Sequence, residues 1–375
     1  LNEATAEEVI NAEGLAVSPG FIDLHSHSDL LCTIPEVHKI KLLQGVTTEL
    51  LGQDGISIAP VTEETKPLWQ KQLKGLNGDI GDWPWNSIEE YLRFIESHRL
   101  LGNLTYLVPH GGVRSIVMGF ENRESTDQEM KEMRGLVELG MEQGAFGFSS
   151  GLIYPPNLYS NTEELIEICK GVAKYDGCFV VHIRNESKYL IEALDEVIEV
   201  ARQTGVRLHV SHFKVMGLKN RSKYEEALEK MNVARDEGIE VTFDQYPYPA
   251  SSTVFHAILP PWIHSGGSKQ MLEKLQDPIT REKIKHEILH DDTYENPVIS
   301  NGWEKIILAS VGSNQNKVHE GKTVMEVSKE LGKSPEDTAL DLLVEEQGDI
   351  TMVVHWGLEE DIIKPMKSPL YSVGS

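Results

Sequence analysis

Two histidines one residue apart, His25 and His27, end the run Pro19-Gly20-Phe21-Ile22-Asp23-Leu24-His25-Ser26-His27. Pro19-Gly20 punctuates its start, and the apolar residues after it read as a strand over 20–25. Side chains at i and i+2 of a strand leave the same face, so both imidazoles project one way, with Asp23 one step earlier. Neutral imidazoles side by side suit a divalent cation. His182, in Val181-His182-Ile183-Arg184, and His212, in Val210-Ser211-His212, each end a further apolar run. Four imidazoles at strand ends are the ligand type and placement that a metal centre needs. Asp54, within Gly52-Gln53-Asp54-Gly55, offers a carboxylate that binds or bridges two ions, or else makes an Asx-type turn before Gly55. His110, before Gly111-Gly112, either lines the same pocket or bonds backbone as a loop histidine.

These residues need a scaffold that brings strand ends together. Apolar runs at 20–25, 45–51, 104–108, 146–149, 178–182, 206–212 and 239–243 alternate with helical patterns at 35–44, 86–99, 126–143, 162–175, 188–204 and 224–237. Asn86 or Ser87 caps the second helix with Glu89 and Glu90 behind it, Thr126 caps the third, and Thr162 begins a capping box on the fourth. With 371–375 as an eighth strand, the rhythm is eight βα units. That implies an α/β protein with a TIM-type (β/α)8 barrel, whose active sites sit at the C-terminal strand ends. His25, His27, His110, His182, His212 and Asp244 all fall at that end. A doubly wound open sheet is the alternative. The strands are near-continuous apolar runs, as burial on both faces requires.

About 120 residues separate the seventh and eighth strands, far more than one crossover needs. Helical patterns at 270–275, 279–289, 323–331 and 335–346 flank the apolar run 305–309. Residues 262–345 are expected to be in part an inserted subdomain that covers the pocket, or else a helical excursion with no role in binding. Residues 1–19 hold two short β-like runs split by Gly14, read as a remnant of a small β-domain, with residues 20–375 as the barrel. Leu1 in place of Met and the strand broken at Ser375 suggest a chain cut at both ends.

A formal charge of −24 disfavours nucleic acid and anionic membranes as partners, since both are polyanions. No apolar run reaches membrane-spanning length. Three cysteines, Cys32, Cys169 and Cys178, make no disulfide framework and fit a reducing, cytoplasmic compartment.

The runs at 19–29, Gly45-Val46-Thr47-Thr48, Gly55-Ile56-Ser57-Ile58-Ala59-Pro60, 144–156, His182-Ile183-Arg184-Asn185-Glu186, Ser211-His212-Phe213-Lys214 and Asp244-Gln245-Tyr246-Pro247-Tyr248-Pro249-Ala250 resemble the N-acyl-D-amino-acid deacylase (D-aminoacylase) family of metal-dependent amidohydrolases. The resemblance covers most of the chain. It implies an amidohydrolase barrel that cleaves N-acyl-D-amino acids to a carboxylate and a free D-amino acid. It also implies that His182 and His212 hold the tighter ion, usually zinc, and that His25 and His27 hold a second, weaker one. Lys214 and Tyr246 would grip the substrate's α-carboxylate, an ammonium and a phenol both being donors to it. Ser150, Tyr154, Arg184 and His110 complete the pocket candidates. Tyr154-Pro155-Pro156 bounds an acyl pocket or makes a rigid turn. Trp83-Pro84-Trp85 walls the pocket or packs a loop on the barrel.

Two departures stand out. Asp54 replaces a metal-binding cysteine of the family, and a harder oxygen ligand opens the site to manganese, iron or cobalt besides zinc. The family's catalytic aspartate is expected directly after Ser375, with a carboxylate-binding arginine downstream. The expected partner is therefore a small N-acyl amino acid; oligomeric state has no sequence signature. One alternative is a cyclic-amide hydrolase of the dihydroorotase or hydantoinase kind. The lack of a lysine at Phe148-Ser149-Ser150, where such enzymes carboxylate one, counts against it. The other is an inactive binding protein on the same barrel.

Overall fold

A computed structural model describes residues 7–56, 58–77 and 80–375. Eight parallel strands follow one another around a single sheet: β1 (Phe21–Asp23), β2 (Val46–Leu51), β3 (Asn103–Pro109), β4 (Gly147–Gly151), β5 (Cys178–His182), β6 (Arg207–Val210), β7 (Val241–Gln245) and, after a long excursion, β11 (Tyr371–Val373). Backbone hydrogen bonds from Leu24 N–H to Val373 O (3.4 Å) and from Ser375 N–H to His25 O (3.2 Å) join the last strand to the first and close the barrel. The open-sheet alternative is thereby excluded.

The crossover helices follow from their patterns. Helix 88–96 starts at a Ser87–Glu90 capping box and helix 127–142 at a Thr126–Glu129 one. Helix 162–173 departs from expectation. Asn161, not Thr162, is its N-cap, and no box forms, because Glu164 turns inward to His110 and Arg114. Helix 190–204 ends at Gly205, whose φ of +72° lets the backbone turn left-handed. Helices at 66–77 and 110–118 have no counterpart in the sequence reading. Trp69 of the former is fully buried, and burial of so large an apolar side chain stabilises by roughly 1.5–3 kcal/mol. Trp83 and Trp85 stack at 5.7 Å in the main core rather than facing a pocket.

Between β7 and β11 the chain builds a second layer. Strands β8 (Ala250–Val254), β9 (Ile306–Val311) and β10 (Ile350–His355) pair antiparallel in the order β8-β10-β9. Helices 267–276, 278–290, 324–331 and 335–345 pack on them around a separate apolar cluster that includes Phe255, Leu275, Ile284, Leu308 and Leu340. The sheet takes one strand from each side of the 262–345 span. β8 escapes a sequence reading because Ala250-Ser251-Ser252-Thr253-Val254 carries no apolar alternation, whereas β10, Ile350-Thr351-Met352-Val353-Val354-His355, is an apolar run that the reading left unassigned. Residues 7–19 form no strand: Val9, Ile10, Leu15 and Val17 are exposed, with no neighbouring strand to pair with. Residues 1–6 of the expected β remnant lie outside the described residues. No described helix is long and apolar enough to cross a membrane.

Candidate metal centre

The C-terminal end of the barrel gathers the predicted ligands around one carboxylate. Asp54 stands just after β2 on a short 3-10 turn, 53–55. Gly52 makes that turn possible: its φ is +77°, and a Cβ there would lie 2.5 Å from Leu107 O on β3. Asp54 itself adopts φ +55° and His212 φ +34°, left-handed conformations uncommon for residues with side chains. Both aim their functional groups into the barrel mouth.

His25 Nε2 and His27 Nε2 each lie 3.4 Å from Asp54 Oδ2, and His212 Nε2 lies 3.6 Å from Asp54 Oδ1. The rings of His182 and His212 are 4.4 Å apart. Two triads therefore share Asp54: His25, His27 and Asp54, and Asp54, His182 and His212. Their spacing is longer than a hydrogen bond. Two ligands each about 2.0–2.1 Å from a tetrahedral zinc lie about 3.4 Å apart, so the donors stand where ligands of a shared ion would.

The polar accounting points the same way. Both ring nitrogens of His182, Nδ1 of His25 and Oδ1 of Asp54 are buried without a hydrogen-bond partner, and native proteins rarely leave such groups unsatisfied. Burial pushes His182 down to about 3, which keeps it neutral with lone pairs free. Burial also opposes charge on His25, yet Asp54 and Asp244 beside it push its pKa up to about 10. The electrostatics demand a cation at this point. The donor set, four imidazoles in two triads around one shared carboxylate, fits divalent ions.

A second ring of residues fixes the ligands. Asp244, at the end of β7, accepts a hydrogen bond from His212 N–H (2.9 Å), lies 3.8 Å from His25 Nδ1 and is 2.8 Å from His209 Nε2. Against its burial, His25 and His209 hold its carboxyl well below the usual range. Glu186 Oε1 lies 3.1 Å from His212 Nδ1 and accepts from Lys214 Nζ at 2.6 Å. Against burial, Lys214, His182 and His212 keep Glu186 ionised. Glu295, from the segment between β7 and β11, accepts from Glu186 N–H at 2.7 Å and from Ser187 Oγ at 3.2 Å. Burial and the neighbouring Glu186 push Glu295 up to about 7.

A pocket of about 440 Å³ opens over this centre, lined by His25, His27, Asp54, His182, His212, Lys214, Tyr246, Tyr154 and Ser375 among others. The Lys214 ammonium sits 5.6 Å over the Tyr246 ring, and Tyr246 Oη has no hydrogen-bond partner of good geometry. The remaining candidates lie elsewhere. His110 is neither in this pocket nor bonded to backbone by its ring: it is fully buried between Ser150 Oγ (2.9 Å) and Glu164 Oε1 (2.8 Å). Ser150 is buried as its partner. Arg184 lines a neighbouring cavity, paired to Glu196 through Nε and one amino group, both at 2.9 Å. Glu186, Asp244 and Glu295 received no site role from sequence. Glu186 stands four residues after His182 in the loop that follows β5, and Asp244 ends an apolar strand at the active end of the barrel, so both carried a signal. Glu295 is 109 positions from its partner Glu186 and carried none.

Comparison with known proteins gives concordant results. A profile of the amidohydrolase family matches residues 8–266. A D-aminoacylase of Alcaligenes xylosoxydans xylosoxydans is 34% identical over 254 residues, which is 68% of this chain and 51% of that protein. The chain thus spans about half the length of the curated relatives it matches. A solved D-aminoacylase, studied for its binuclear metal centre, superposes with a TM-score of 0.73 at 26% identity, covering 95% of this chain and 64% of that one. The fold is also that of an N-acyl-D-glutamate deacylase from Bordetella bronchiseptica, solved with zinc and a phosphonate inhibitor: TM-score 0.74, 24% identity, and the same coverage of each chain.

Proposed function

Because the chain belongs to the amidohydrolase family, we propose that it hydrolyses the amide bond of N-acyl-D-amino acids, releasing a carboxylate and a free D-amino acid. The observation that carries this reading is the convergence of His25, His27, His182 and His212 on Asp54, in one pocket with Lys214 and Tyr246. His182, His212 and Asp54 hold the tighter ion, with zinc the first to test and manganese, iron and cobalt next. His25 and His27 share Asp54 with a second ion. A divalent ion bound there polarises the amide carbonyl and lowers the pKa of water to about 7.

The chain's own residues do the rest. Lys214 and Tyr246 donate to the α-carboxylate and so fix the amide over the centre. Glu186 orients both Lys214 and His212, and Asp244 orients both His25 and the backbone of His212. Tyr154, packed 5.3 Å from the His182 ring, faces the other end of the substrate. Ser375 lines the pocket, and Gly374 has no side chain to collide with His25 and Asp244, 2.5–2.8 Å from where its Cβ would stand.

The preference for D substrates draws its support from the relatives' activities. The test is release of free amino acid from paired N-acetyl-D- and N-acetyl-L-amino acids by metal-loaded protein. Turnover of the D series, lost with His212→Ala, supports the reading. Bound metal with no release from either series rejects it.

A further inference from the structure

A second, larger cavity adjoins the metal pocket and has no role in the reading above. It measures about 670 Å³, within the range of small-molecule sites. Its walls come from the loop after β4, from helix 190–204 and from the segment 256–264 that leaves β8. Leu152, Leu158, Tyr159, Ala193, Leu259 and Tyr294 make it mainly apolar and aromatic. Of the charged residues at its edge, Arg184 is locked to Glu196, Glu295 Oε2 is held by Glu186 N–H and Ser187 Oγ, and Glu192 is exposed at the rim. Burial keeps His256 neutral, with its pKa pushed down to about 4. The one lining charge without a protein partner, Glu192, faces solvent, so an apolar occupant does not bury it.

The two cavities share a wall. Ile153 and Tyr154 line both, and Tyr154 Oη is tied to Thr253 Oγ1 of β8 at 2.8 Å. Tyr154 and Tyr246 stand against different rings of the central pair, Tyr154 5.3 Å from His182 and Tyr246 6.3 Å from His212. A substrate whose α-carboxylate is held at Lys214 and Tyr246, with its amide over the histidines, points its acyl group at Tyr154 and the cavity behind it.

We propose that this cavity is an acyl subsite, and that the chain takes N-acyl amino acids whose acyl group is an extended apolar chain. The direction of the acyl group rests on the function proposed above; the cavity itself does not. The acyl chain passes beside Tyr154, which can exchange its bond to Thr253 for water, and lies along Leu152, Leu158 and Tyr159. A fatty carboxylate, the product such a substrate leaves, occupies the same space.

The test separates the two claims. Zinc-loaded chain is titrated calorimetrically with acetate, hexanoate and dodecanoate. The expected affinity rises about fourfold per added methylene until the cavity is filled. The series flattens in Ala193→Trp and Ala257→Trp, which fill the cavity from two different walls, while acetate binding is unchanged. A dodecanoate carrying a terminal diazirine, applied to the unsubstituted chain, labels the peptides of Leu158–Tyr159 or Tyr294. That readout stands even where a tryptophan variant fails to fold. A flat series, or label confined to other surfaces, overturns the subsite. Amino acid release from N-acetyl and N-dodecanoyl forms of one D-amino acid is read in parallel. Release from the acetyl form with a flat binding series keeps the activity and rejects the subsite. Specific labelling with no release from either form keeps the acyl-binding cavity and rejects the proposed activity. Release that rises instead with the length of the amino-acid side chain assigns the cavity to that side chain and overturns the proposal.

Discussion

Two of the barrel's buried clusters of histidine and carboxylate differ in how their imidazoles are met. Around His110, the chain supplies partners to both ring nitrogens, leaving Glu164 Oε2 as the open oxygen. The imidazole bonds Ser150 and Glu164, and Arg114 gives Glu164 a charged hydrogen bond at 3.0 Å while donating to Pro156 O and Arg123 O. Around Asp54, the imidazoles stand 3.4–3.6 Å off, and His182 has no partner at either nitrogen. Both clusters are largely buried and both are polar. A buried polar group costs free energy unless it is paired, so the first cluster is a strut and the second is a receptor for something the chain does not itself supply. Histidine content and burial do not separate them; the unmet hydrogen-bonding capacity of the imidazoles does.

The sharpest way to break this contrast is to remove the shared carboxylate. Asp54→Ala takes one ligand from both triads, and turnover should fall on the order of 10³-fold or more, with bound metal falling in parallel. Metal analysis and amino acid release check it. The melting temperature without metal should change little, because Asp54 makes no short hydrogen bond with the histidines. Full metal occupancy in Asp54→Ala would mean that the second cluster is not the receptor.

The strut should behave in the opposite way. Glu164→Ala leaves Arg114, which is fully buried, with an uncompensated charge. Breaking a buried pair of that kind costs about 3–5 kcal/mol, and metal stoichiometry should stay at the unsubstituted value. The same pair sets an acid window. Against its burial, His110 and Arg114 lower Glu164 from 4.5 to about 2. The unfolded chain therefore takes up this proton first as pH falls. The stabilisation is complete above about 4.5 and lost by about pH 2, a contribution of roughly 3 kcal/mol. Burial lowers His110 too, so its effect has the same sign and begins below its ordinary value of 6.5. Denaturant melts across pH should show the slope, and Glu164→Ala should flatten its acid limb.

How much of this contrast the sequence carried depends on what makes each contact. His25 and His27 were legible because a strand's two-residue period puts them on one face, and His182 and His212 because each ends an apolar run. The barrel was legible for the same reason: repeated βα patterning is local. Glu164 was read as part of a helix start, and it is one, but its side chain leaves the helix for His110, 54 positions away. Neither propensity nor capping rules encode that turn. β8 was missed because Ser251, Ser252 and Thr253 carry no apolar signal, and its pairing with β10 joins residues about a hundred positions apart. Glu295 reaches Glu186, beside the metal pocket, by the same long route. What stayed hidden was non-local pairing of polar residues, which leaves no periodic trace.

Orientation of the ligands should show a smaller effect than their removal. Asp244→Asn keeps the shape but weakens the carboxylate's hold on His25 and the tautomer it selects. Changes of this type typically cost 10–100-fold in metal affinity. Chelator competition should place Asp244→Asn in that range while the apo fold is retained. Unchanged affinity would reduce Asp244 to a packing residue between β7 and His209.

The smallest effects give the finest reading, because the two clusters should respond with opposite signs to deletion of one oxygen. Ser150→Ala removes a satisfied hydroxyl and leaves His110 Nδ1 buried and unpaired, a loss of about 1–3 kcal/mol. Tyr246→Phe removes a hydroxyl without a good partner in a buried site, so the metal-free chain should be no less stable and by this argument slightly more so. The same substitution takes a donor from the substrate's α-carboxylate, worth about 1.5 kcal/mol for a hydrogen bond to a charged group, so KM should rise about tenfold with kcat little changed. Lys214 remains as the second donor, which keeps the effect from growing. Thermal melts of both variants and Michaelis curves for Tyr246→Phe decide it. If Tyr246→Phe destabilises the metal-free chain as Ser150→Ala does, its hydroxyl is a strut like the others, and the pocket around Asp54 is more self-sufficient than its open hydrogen bonds imply.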